Sequence, residues 1–280
     1  MYRIVNKEAL KPTVILYEIE APMVAKKAQP GQFIILRVDE NGERVPITIH
    51  DYDREKGTVT IIVQTVGATT EKLSHKQAGD YLQDFVGPLG VPTHTEGKKK
   101  VCVVGGGVGC AIAYPVLKKF HDCGAEVHAV VGFKSKDFVI LEEDFKKSSD
   151  KLIVCTDDGS YGQKGLVTDA LKQLIEDGNQ YDEVFAIGPM VMMKFVSLTT
   201  QPYGIPTTVS MSPVMIDGTG MCGGCRLSVG GEMKFACVDG PDFDGHQVDW
   251  NLAVKRNQMY AEFEKHKHEE TCNLFKKEVQ

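Results

Sequence analysis

The sequence lacks any hydrophobic run long enough to cross a membrane. The longest apolar stretch, residues 101–117, has about 17 residues and is interrupted by four glycines, whereas a membrane-spanning helix needs about 20. The N-terminal stretch MYRIVNKEALKPT has no apolar core of the kind found in signal peptides. These two absences predict a cytoplasmic protein.

Positive charge is also in short supply. The 280 residues include 32 Lys and Arg against 38 Asp and Glu, which gives a net charge of -6. Nucleic acids and anionic membrane surfaces attract basic proteins, so neither is expected as a partner. The hydrophobic share of 42% is ordinary for globular domains, and the length suits two or three of them.

A disulfide framework is not required, because a chain of this size can build its own hydrophobic core. Cys272 lies in a charged tail and is expected to be a bystander. Four cysteines lie singly in or beside apolar stretches and are expected to be buried hydrophobic residues: Cys102, Cys110, Cys123 and Cys155. The other three are clustered in glycine-rich sequence: Cys222, Cys225 and Cys237.

The first hundred residues are rich in β-branched residues and in turn signals. Strands are predicted within residues 13–20, 31–39, 45–53 and 57–66. Short strands at this spacing favour an antiparallel barrel over residues 1–97. The polar stretch THTEGKKK then marks a domain boundary.

A different rhythm follows from residue 98 to residue 208. Apolar strands are predicted to begin near Val101, Glu126, Lys151 and Glu183, with helices over 111–124 and 165–178 between them. Alternating strands and helices imply a parallel sheet with crossover helices. A glycine- and cysteine-rich segment, 209–250, and a helical tail, 251–280, complete the prediction.

The stretch VCVVGGGVGCAIAY is a strand, a glycine turn and a helix. Such a turn lets a pyrophosphate approach the backbone at a helix N-terminus. The candidate contacts are Gly105, Gly106, Gly107 and Gly109. Two features of the usual dinucleotide fingerprint are missing, because Cys110 takes the third glycine position and the second strand ends without an acidic residue. A related nucleotide fold is therefore expected, and a glycine turn without a ligand is the alternative.

Two carboxylates follow the third predicted strand. Asp157 and Asp158 would accept hydrogen bonds from ribose hydroxyls and repel a 2′-phosphate. They favour NADH over NADPH, with a solvated acidic turn as the alternative.

In the barrel, the stretch RVPITI places Arg44, Pro46 and Thr48 on one face of a predicted strand. The arginine could bind a phosphate with two hydrogen bonds, and the threonine hydroxyl could reach a ring nitrogen. Three further candidates could donate hydrogen bonds to a pyrophosphate: Gly67, Thr69 and Thr70. A surface arginine beside an ordinary strand threonine is the alternative.

The order of these parts resembles the ferredoxin-NADP reductase family. A barrel with R-x-P-x-T precedes a nucleotide domain with GGGVG and a terminal GPMVMM, over about residues 1–200. Together, TDDGSYGQKG and DGTGMCGGCR are similar to small electron-transfer subunits of that family. These are the subunits of dihydroorotate dehydrogenase and of the NADH-dependent reduced ferredoxin:NADP oxidoreductase, also called sulfide dehydrogenase. Both stretches look most like the latter.

The resemblance implies an FAD-binding barrel, an NAD-binding α/β domain and a small C-terminal [2Fe-2S] segment. It adds Gly188, Pro189 and Met190 to the NAD contacts, and it departs from the family at Ile187, where a cysteine is usual. It also implies a larger flavoprotein subunit with FAD and [4Fe-4S] clusters that handles NADP(H) and ferredoxin. The pair would carry out electron bifurcation in a heterodimer.

The clustered cysteines match the plant-type [2Fe-2S] spacing with one exception. Cys222, Cys225 and Cys237 occupy three positions of C-x4-C-x2-C…C, and Asp217 stands where the first cysteine is expected. We therefore predict that Asp217 is the fourth ligand.

Other interpretations of the cysteines stay open at this point. One is a zinc site completed by Asp217 or His246, and another is a redox-active Cys-x-x-Cys. A third gives the fourth cluster position to Asp239 or Cys272.

Hydride transfer to a flavin needs no general acid or base, and no such constellation is evident. The sequence therefore predicts an electron-transfer oxidoreductase subunit. The alternatives are the electron-transfer subunit of dihydroorotate dehydrogenase and a zinc-stabilised nucleotide-binding regulator.

Overall fold

The N-terminal region is built from two antiparallel sheets. The computed structural model describes residues 1–267. The elements of this region are β1 (Tyr2–Lys11), β2 (Val14–Glu20), α1 (Pro22–Lys27), β3 (Phe33–Arg37), β4 (Val45–Thr48), β5 (Asp51–Asp53), β6 (Thr58–Gln64), α2 (Ala68–His75), β7 (Tyr81–Leu82) and β8 (Asp84–Leu89). Strand order is β5-β6-β2-β1-β7 in one sheet and β4-β3-β8 in the other.

The two sheets enclose one apolar core. Tyr17, Ile19, Ile34, Leu36 and Ile61 are fully buried there. These residues come from strands β2, β3 and β6, whose alternating or continuous apolar pattern made them predictable. Strand β1 was not predicted, because Ile4 is its one buried residue and no alternation marks it in the sequence.

The second region alternates strands and helices, as the spacing predicts. Its elements are β9 (Lys100–Gly106), α3 (Gly109–Asp122), β10 (Glu126–Phe133), a 3-10 turn (Lys136–Phe138), α4 (Glu142–Lys147), β11 (Lys151–Thr156), β12 (Gln163–Lys164), α5 (Val167–Glu176), β13 (Glu183–Ile187), α6 (Met190–Thr200), a 3-10 turn (Gln201–Tyr203) and β14 (Thr207–Ser210). Strands β9 to β14 pair in parallel.

The C-terminal region adds a hairpin and one further strand. Its elements are β15 (Arg226–Val229), β16 (Glu232–Phe235), β17 (Asp242–Asp244) and α7 (Trp250–Asn257). Strand β17 pairs antiparallel with β14 and completes a seven-stranded sheet of order β12-β11-β10-β9-β13-β14-β17. The predicted boundary after residue 208 falls inside β14. Of the predicted helical tail, residues 268–280 lie outside the described residues.

Antiparallel sheets followed by a parallel sheet confirm the predicted fold class. Within residues 1–267, no helix has the length and apolar character needed to cross a bilayer.

Three of the four isolated cysteines are buried as predicted: Cys102, Cys110 and Cys155. The prediction for Cys123 is wrong, because its side chain is exposed. Cys123 caps the C-terminal end of α3, just before Gly124 turns the chain with a φ of 84°. It therefore lies beyond the helix face that packs on the sheet.

One hydrogen bond joins the barrel to helix α3. Pro115 lies inside this helix and has no N–H to donate to the carbonyl of Ala111, four residues earlier. The buried His50 of the barrel fills this vacancy, with its Nδ1 2.7 Å from the Ala111 oxygen. A carbonyl can only accept, so Nδ1 carries the hydrogen. Burial lowers the pKa of His50, which favours this neutral form.

We expect His50→Ala to lower the free energy of unfolding by about 1–3 kcal/mol, because it leaves a helix carbonyl without a donor. In a Pro115→Ala background, residue 115 supplies its own N–H, so the same change should cost about 1 kcal/mol less. Urea denaturation of the two single variants and the double variant measures this coupling. If His50→Ala lowers the free energy of unfolding equally in both backgrounds, the hydrogen bond to Ala111 does not account for the loss of stability.

Candidate functional site: an interdomain cavity and a cysteine loop

A cavity of about 730 Å³ lies where the three regions of the chain meet. The barrel contributes parts of β4 and β6, and the α/β domain contributes the turn after β9 and the end of β13. Ser210 at the end of β14 and three residues between β14 and β17 complete the lining: Met211, Met215 and Pro241. Small-molecule sites usually measure about 300–1,000 Å³, so the cavity has the size of a ligand site.

The glycine turn after β9 forms one wall of this cavity, but its glycines differ in what they do. Gly107 has a φ of 55°, and an added Cβ there would have no protein atom within 4 Å. Gly105 and Gly109 are packing positions, where an added Cβ would lie 2.9 Å from the Cys110 sulfur and 2.7 Å from the Gly188 Cα. Gly106 lines the cavity but also packs against the Met192 sulfur. Gly107 is therefore the position open to a ligand.

Cys110 occupies the third glycine position without disturbing the turn. It is fully buried in α3 against Gly105. Burial raises the pKa of its thiol far above the usual range, which keeps it an uncharged packing residue.

The barrel wall contains three of the predicted flavin contacts. Pro46, Thr48 and Thr70 line the cavity. The Thr70 hydroxyl accepts a hydrogen bond from the backbone N–H of Gly67, the N-cap of α2, at 3.0 Å. Thr69 is buried and donates to Glu43 at 2.8 Å. Gly67 and Thr69 thus shape the start of α2 and are not part of the lining.

Arg44 lies just before β4 and is turned toward the cysteine segment. Its Nε donates to the Ile216 carbonyl at 3.0 Å, and its Nη2 donates to the Asp217 carbonyl at 3.4 Å. Its Nη1 is 3.6 Å from the Asp84 carboxylate, which also pairs with Arg37 at 2.6 Å. Arg44 therefore ties the barrel to the loop that precedes the cysteines.

The predicted nicotinamide-nucleotide contacts are spread along one edge of the parallel sheet. Gly188 and Pro189 line the cavity together with Ile187, and Met190 begins helix α6. Asp157 and Asp158 follow β11, two strands away from β9, and do not line the cavity.

The carboxylate of Asp158 is held by its own loop. It accepts hydrogen bonds from the Ser160 hydroxyl at 2.7 Å and backbone N–H at 2.9 Å. These bonds lower its pKa, so a fixed negative charge stands at the carboxyl end of β11.

Lys134 is a cavity residue that the sequence analysis missed. It follows β10 directly and lines the cavity with Phe138 and Ile140. The signal was its place at the carboxyl end of a predicted parallel strand, where ligands bind in open α/β sheets.

The hairpin of β15 and β16 brings two predicted cluster ligands together. Cys225 precedes β15 and Cys237 follows β16. Both are buried, and their sulfur atoms lie 3.2 Å apart. Antiparallel pairing from Arg226 to Phe235 fixes this approach.

The third cysteine, Cys222, is exposed and surrounded by backbone amides. The Gly224 N–H donates to its sulfur at 3.4 Å. This bond, with further amides of Asp217 and Ile216, lowers the pKa of Cys222. Donors of this kind stabilise a thiolate, which is the form that binds metals.

Asp217 lies on the same loop, and its carboxylate organises that loop. Oδ2 accepts hydrogen bonds from the Thr219 hydroxyl at 2.7 Å, the Thr219 N–H at 2.9 Å and the Met221 N–H at 3.1 Å. These bonds, with a smaller effect of Arg44, lower the pKa of Asp217. Within residues 1–267, no three His, Cys, Asp or Glu side chains converge closely enough to hold one metal ion.

The other candidate fourth ligands have different contacts. Asp239 accepts a hydrogen bond from the Phe235 N–H at 2.6 Å. His246 Nε2 lies 3.0 Å from the Thr200 hydroxyl, behind helix α6. Cys272 lies outside the described residues.

Comparison with known proteins places the chain in a family. Residues 212–249 match the model of the iron-sulfur cluster binding domain of dihydroorotate dehydrogenase B. The chain is 47% identical over 262 residues to a dihydroorotate dehydrogenase B (NAD(+)) electron transfer subunit homolog of Thermotoga maritima, covering 94% of this chain and 92% of the relative. The chain belongs to the dihydroorotate dehydrogenase B electron-transfer subunit family.

Two further matches cover nearly the whole family member described here. An uncharacterized protein encoded in the adh 3′ region of Clostridium beijerinckii is 53% identical, over 93% of this chain and 90% of that protein. A solved structure of the NADH-dependent reduced ferredoxin-NADP oxidoreductase, described in connection with flavin-based electron bifurcation, superposes with a TM-score of 0.92. It is 44% identical, and the match covers 96% of this chain and 97% of that one.

Family membership confirms several sequence predictions. The chain is an oxidoreductase subunit for electron transfer, with a ferredoxin-NADP-reductase-type flavin- and NAD-binding fold. Its C-terminal segment is an iron-sulfur binding domain.

A second residue that the sequence analysis missed lies behind the cavity of this family member. Asp242 begins β17, and its Oδ2 accepts a hydrogen bond from the Thr93 hydroxyl at 2.5 Å. Its Oδ1 is the one buried side-chain oxygen or nitrogen of residues 1–267 that lacks a hydrogen-bond partner. Burial raises the pKa of Asp242 to about 6, against the opposing effects of the Thr93 and Ser210 hydroxyls.

We expect Asp242→Asn to stabilise the protein at pH 7 but not at pH 4. The folded carboxyl keeps its proton up to about pH 6, whereas the unfolded one ionises near its usual pKa of 3.8. Between these values the folded chain binds more protons, so the stability of the native protein falls as the pH rises. At about 1.4 kcal/mol per pKa unit, the loss approaches 3 kcal/mol.

Urea denaturation at pH 4 and pH 7 tests this expectation. The asparagine variant cannot titrate, so its stability relative to the native protein should increase between the two pH values. The other carboxyls titrate in both proteins and cancel in the comparison. A difference that stays constant between pH 4 and pH 7 would contradict the raised pKa.

Proposed function

We propose that this chain exchanges hydride with NAD(H) at a bound FAD and passes single electrons through a [2Fe-2S] cluster to or from a larger flavoprotein subunit. The complex would be an electron-bifurcating NADH-dependent reduced ferredoxin:NADP oxidoreductase. The observation that carries the proposal is the shared cavity. Its walls come from the predicted flavin barrel, the predicted nucleotide turn and the segment that bears the cysteines.

The FAD is assigned to the barrel side of the cavity. The isoalloxazine would lie near Thr48 and Pro46, and the phosphates would lie near the start of α2. The assigned residues are Arg44, Pro46, Thr48, Gly67, Thr69 and Thr70. The Arg44 guanidinium is engaged by the carbonyls of Ile216 and Asp217, so a phosphate would have to share or replace those bonds. Bound FAD would supply the conversion between hydride transfer and single-electron transfer.

The nicotinamide nucleotide is assigned to the opposite wall. Gly107 leaves open space beside the N-terminus of the 14-residue helix α3, which favours a phosphate. The assigned residues are Gly105, Gly106, Gly107, Gly109, Asp157, Asp158, Gly188, Pro189 and Met190. Gly105 and Gly109 would act by allowing close packing of the turn, and Asp157 and Asp158 would select against a 2′-phosphate.

The cysteine loop fits a two-iron cluster held by two pairs of ligands. Cys225 and Cys237 already form one pair, with their sulfurs 3.2 Å apart. Cys222 and Asp217 would form the other, on one loop whose amides point at the Cys222 sulfur. The zinc alternative would instead need four ligands around one point.

The partner is assigned to the surface around the cysteine loop. Ile216, Met221 and Val238 are exposed there, and Met221 is 86% exposed. A cluster of exposed apolar side chains typically marks a protein contact. The partner that the family resemblance implies is a larger subunit with FAD and [4Fe-4S] clusters, which would handle ferredoxin and NADP(H).

A dihydroorotate dehydrogenase B electron-transfer subunit is the second candidate. The match of residues 212–249 and the names of several relatives favour it. Asp217 at the first ligand position favours the bifurcating enzyme instead. The two candidates differ in their partner, so the native complex purified without oxygen distinguishes them by whether it oxidises dihydroorotate or reduces NADP⁺ with reduced ferredoxin and NADH.

We expect NADH, and not NADPH, to bleach the flavin of the isolated subunit in anaerobic stopped-flow experiments. The carboxylates of Asp157 and Asp158 would repel the additional phosphate of NADPH. An Asp157→Ser/Asp158→Ser variant serves as the matched comparison and should narrow the preference for NADH. Equal or faster bleaching of the native subunit by NADPH would refute the assignment, and a protein without flavin absorbance would refute the proposed function itself.

We expect Asp217→Cys to retain the cluster with an altered EPR signal and potential, because sulfur is a softer donor to iron than oxygen. Asp217→Ala should make the cluster labile. Asp239→Ala is the matched control, since Asp239 is the other carboxylate of the segment. If Asp217→Ala assembles an unaltered cluster while Asp239→Ala loses it, the fourth ligand is Asp239.

A further inference from the structure

The buried carboxyl of Asp242 lies one residue away from the cavity. In the antiparallel pair of β14 and β17, Ser210 stands directly opposite Asp242. Ser210 lines the cavity, and its hydroxyl is one of the groups that lower the pKa of Asp242. Pro241, the residue before Asp242, also lines the cavity. Ser210 therefore lies between the Asp242 carboxyl and the ligand space.

The charges around Asp242 leave its own charge uncompensated. The charged group that acts on it is Glu183 of β13, which has the same sign. Glu183 is itself paired with Lys98 at 2.9 Å and accepts from Thr208 at 2.5 Å. Asp242 has the Thr93 hydroxyl on Oδ2 and no partner on Oδ1. An unpaired, enclosed carboxyl of this kind binds and releases a proton near neutral pH.

We propose that Asp242 stores a proton for the redox reaction in the cavity and exchanges it through the hydroxyl of Ser210. The inference rests on the proposed function, because it requires a group in the cavity that gains and loses a proton with its electrons. Asp242 itself does not touch that group. It is a positioning and proton-holding residue that acts through Ser210.

The balance of protons and electrons gives Asp242 its role. A hydride consists of one proton and two electrons. When the two electrons leave singly for the iron-sulfur site, one proton remains in the cavity. Ser210 accepts this proton on its oxygen while its own O–H proton passes to Oδ1 of Asp242, since a hydroxyl can accept and donate at once. In the reverse direction, Asp242 returns the proton as the hydride forms.

The first test measures the proton on Asp242 directly, with or without a bound cofactor. Infrared difference spectra between pH 5 and pH 8 should show the carbonyl band of a buried protonated carboxyl. Asp242→Asn should lack this band, and Ser210→Ala should keep it. Thr93→Val removes a donor to the ionised form, so the band should persist to higher pH. A native spectrum without a titrating band that depends on Asp242 would overturn the proposal.

The second test separates equilibrium from rate in the flavin-loaded subunit. The dependence of the flavin midpoint potential on pH should change slope near the pKa of Asp242, and this break should vanish in Asp242→Asn. Ser210→Ala should keep the break but slow reoxidation of the NADH-reduced subunit by ferricyanide at least tenfold, since proton transfer by positioned groups contributes about 10²–10⁴-fold. Thr93→Val should keep the break but move it to higher pH, because the Thr93 hydroxyl stabilises the ionised carboxyl.

Flavin absorbance tells the two possible failures apart. If flavin is bound and Asp242→Asn keeps both the native slope and the native rate, the proton store is wrong while the proposed function stands. If native protein binds no flavin, the proposed function fails, and the proton store falls with it.

Discussion

The pairing of β14 with β17 is the constraint on which the functional region depends. Three residue pairs, from Thr208 with Asp244 to Ser210 with Asp242, join the two strands, so the segment between them begins and ends at the same place. Both ends of that segment are thereby held at the cavity, with Ser210 leaving the sheet and Pro241 returning to it. The cysteines lie between these fixed ends, and the β15–β16 hairpin sets their approach. The short edge pairing thus places the metal-binding chemistry beside the ligand space.

Electrostatic contacts then join that segment to the barrel. Arg44 donates to two carbonyls of the loop that begins at Ile216, while Asp84 holds its guanidinium from the other side. Arg44 binds only carbonyl oxygens of this loop. The backbone N–H groups of the loop can therefore donate to the Cys222 sulfur and the Asp217 carboxylate. A substitution of Arg44 would therefore alter the cysteine loop as well as the cavity.

The sequence was informative wherever burial follows a regular period. The parallel strands β9, β10 and β13 are continuous apolar runs, because both faces of such a sheet are covered. The cysteine spacing was equally readable, since a metal cluster imposes its own local pattern. Strand β1 carried no such signal, because one buried residue does not make a period.

Contacts between distant parts of the chain could not be predicted. Arg44 meets residues that are about 170 positions away, and nothing in its local sequence marks that meeting. Asp242 follows a proline in polar sequence and looks like a surface turn, yet β17 buries its carboxyl behind Ser210. These side chains take their roles from topology and not from their neighbours in sequence.

The proline in helix α3 has a consequence for how this fold can be recombined. Because Pro115 withholds a backbone donor, the α/β domain is complete only when the barrel supplies His50. The two regions are therefore not interchangeable modules, although each has its own core. In a chimera that joins this α/β domain to a foreign barrel, the Ala111 carbonyl would lack a hydrogen-bond donor. The exception is a barrel that has a histidine at the position of His50.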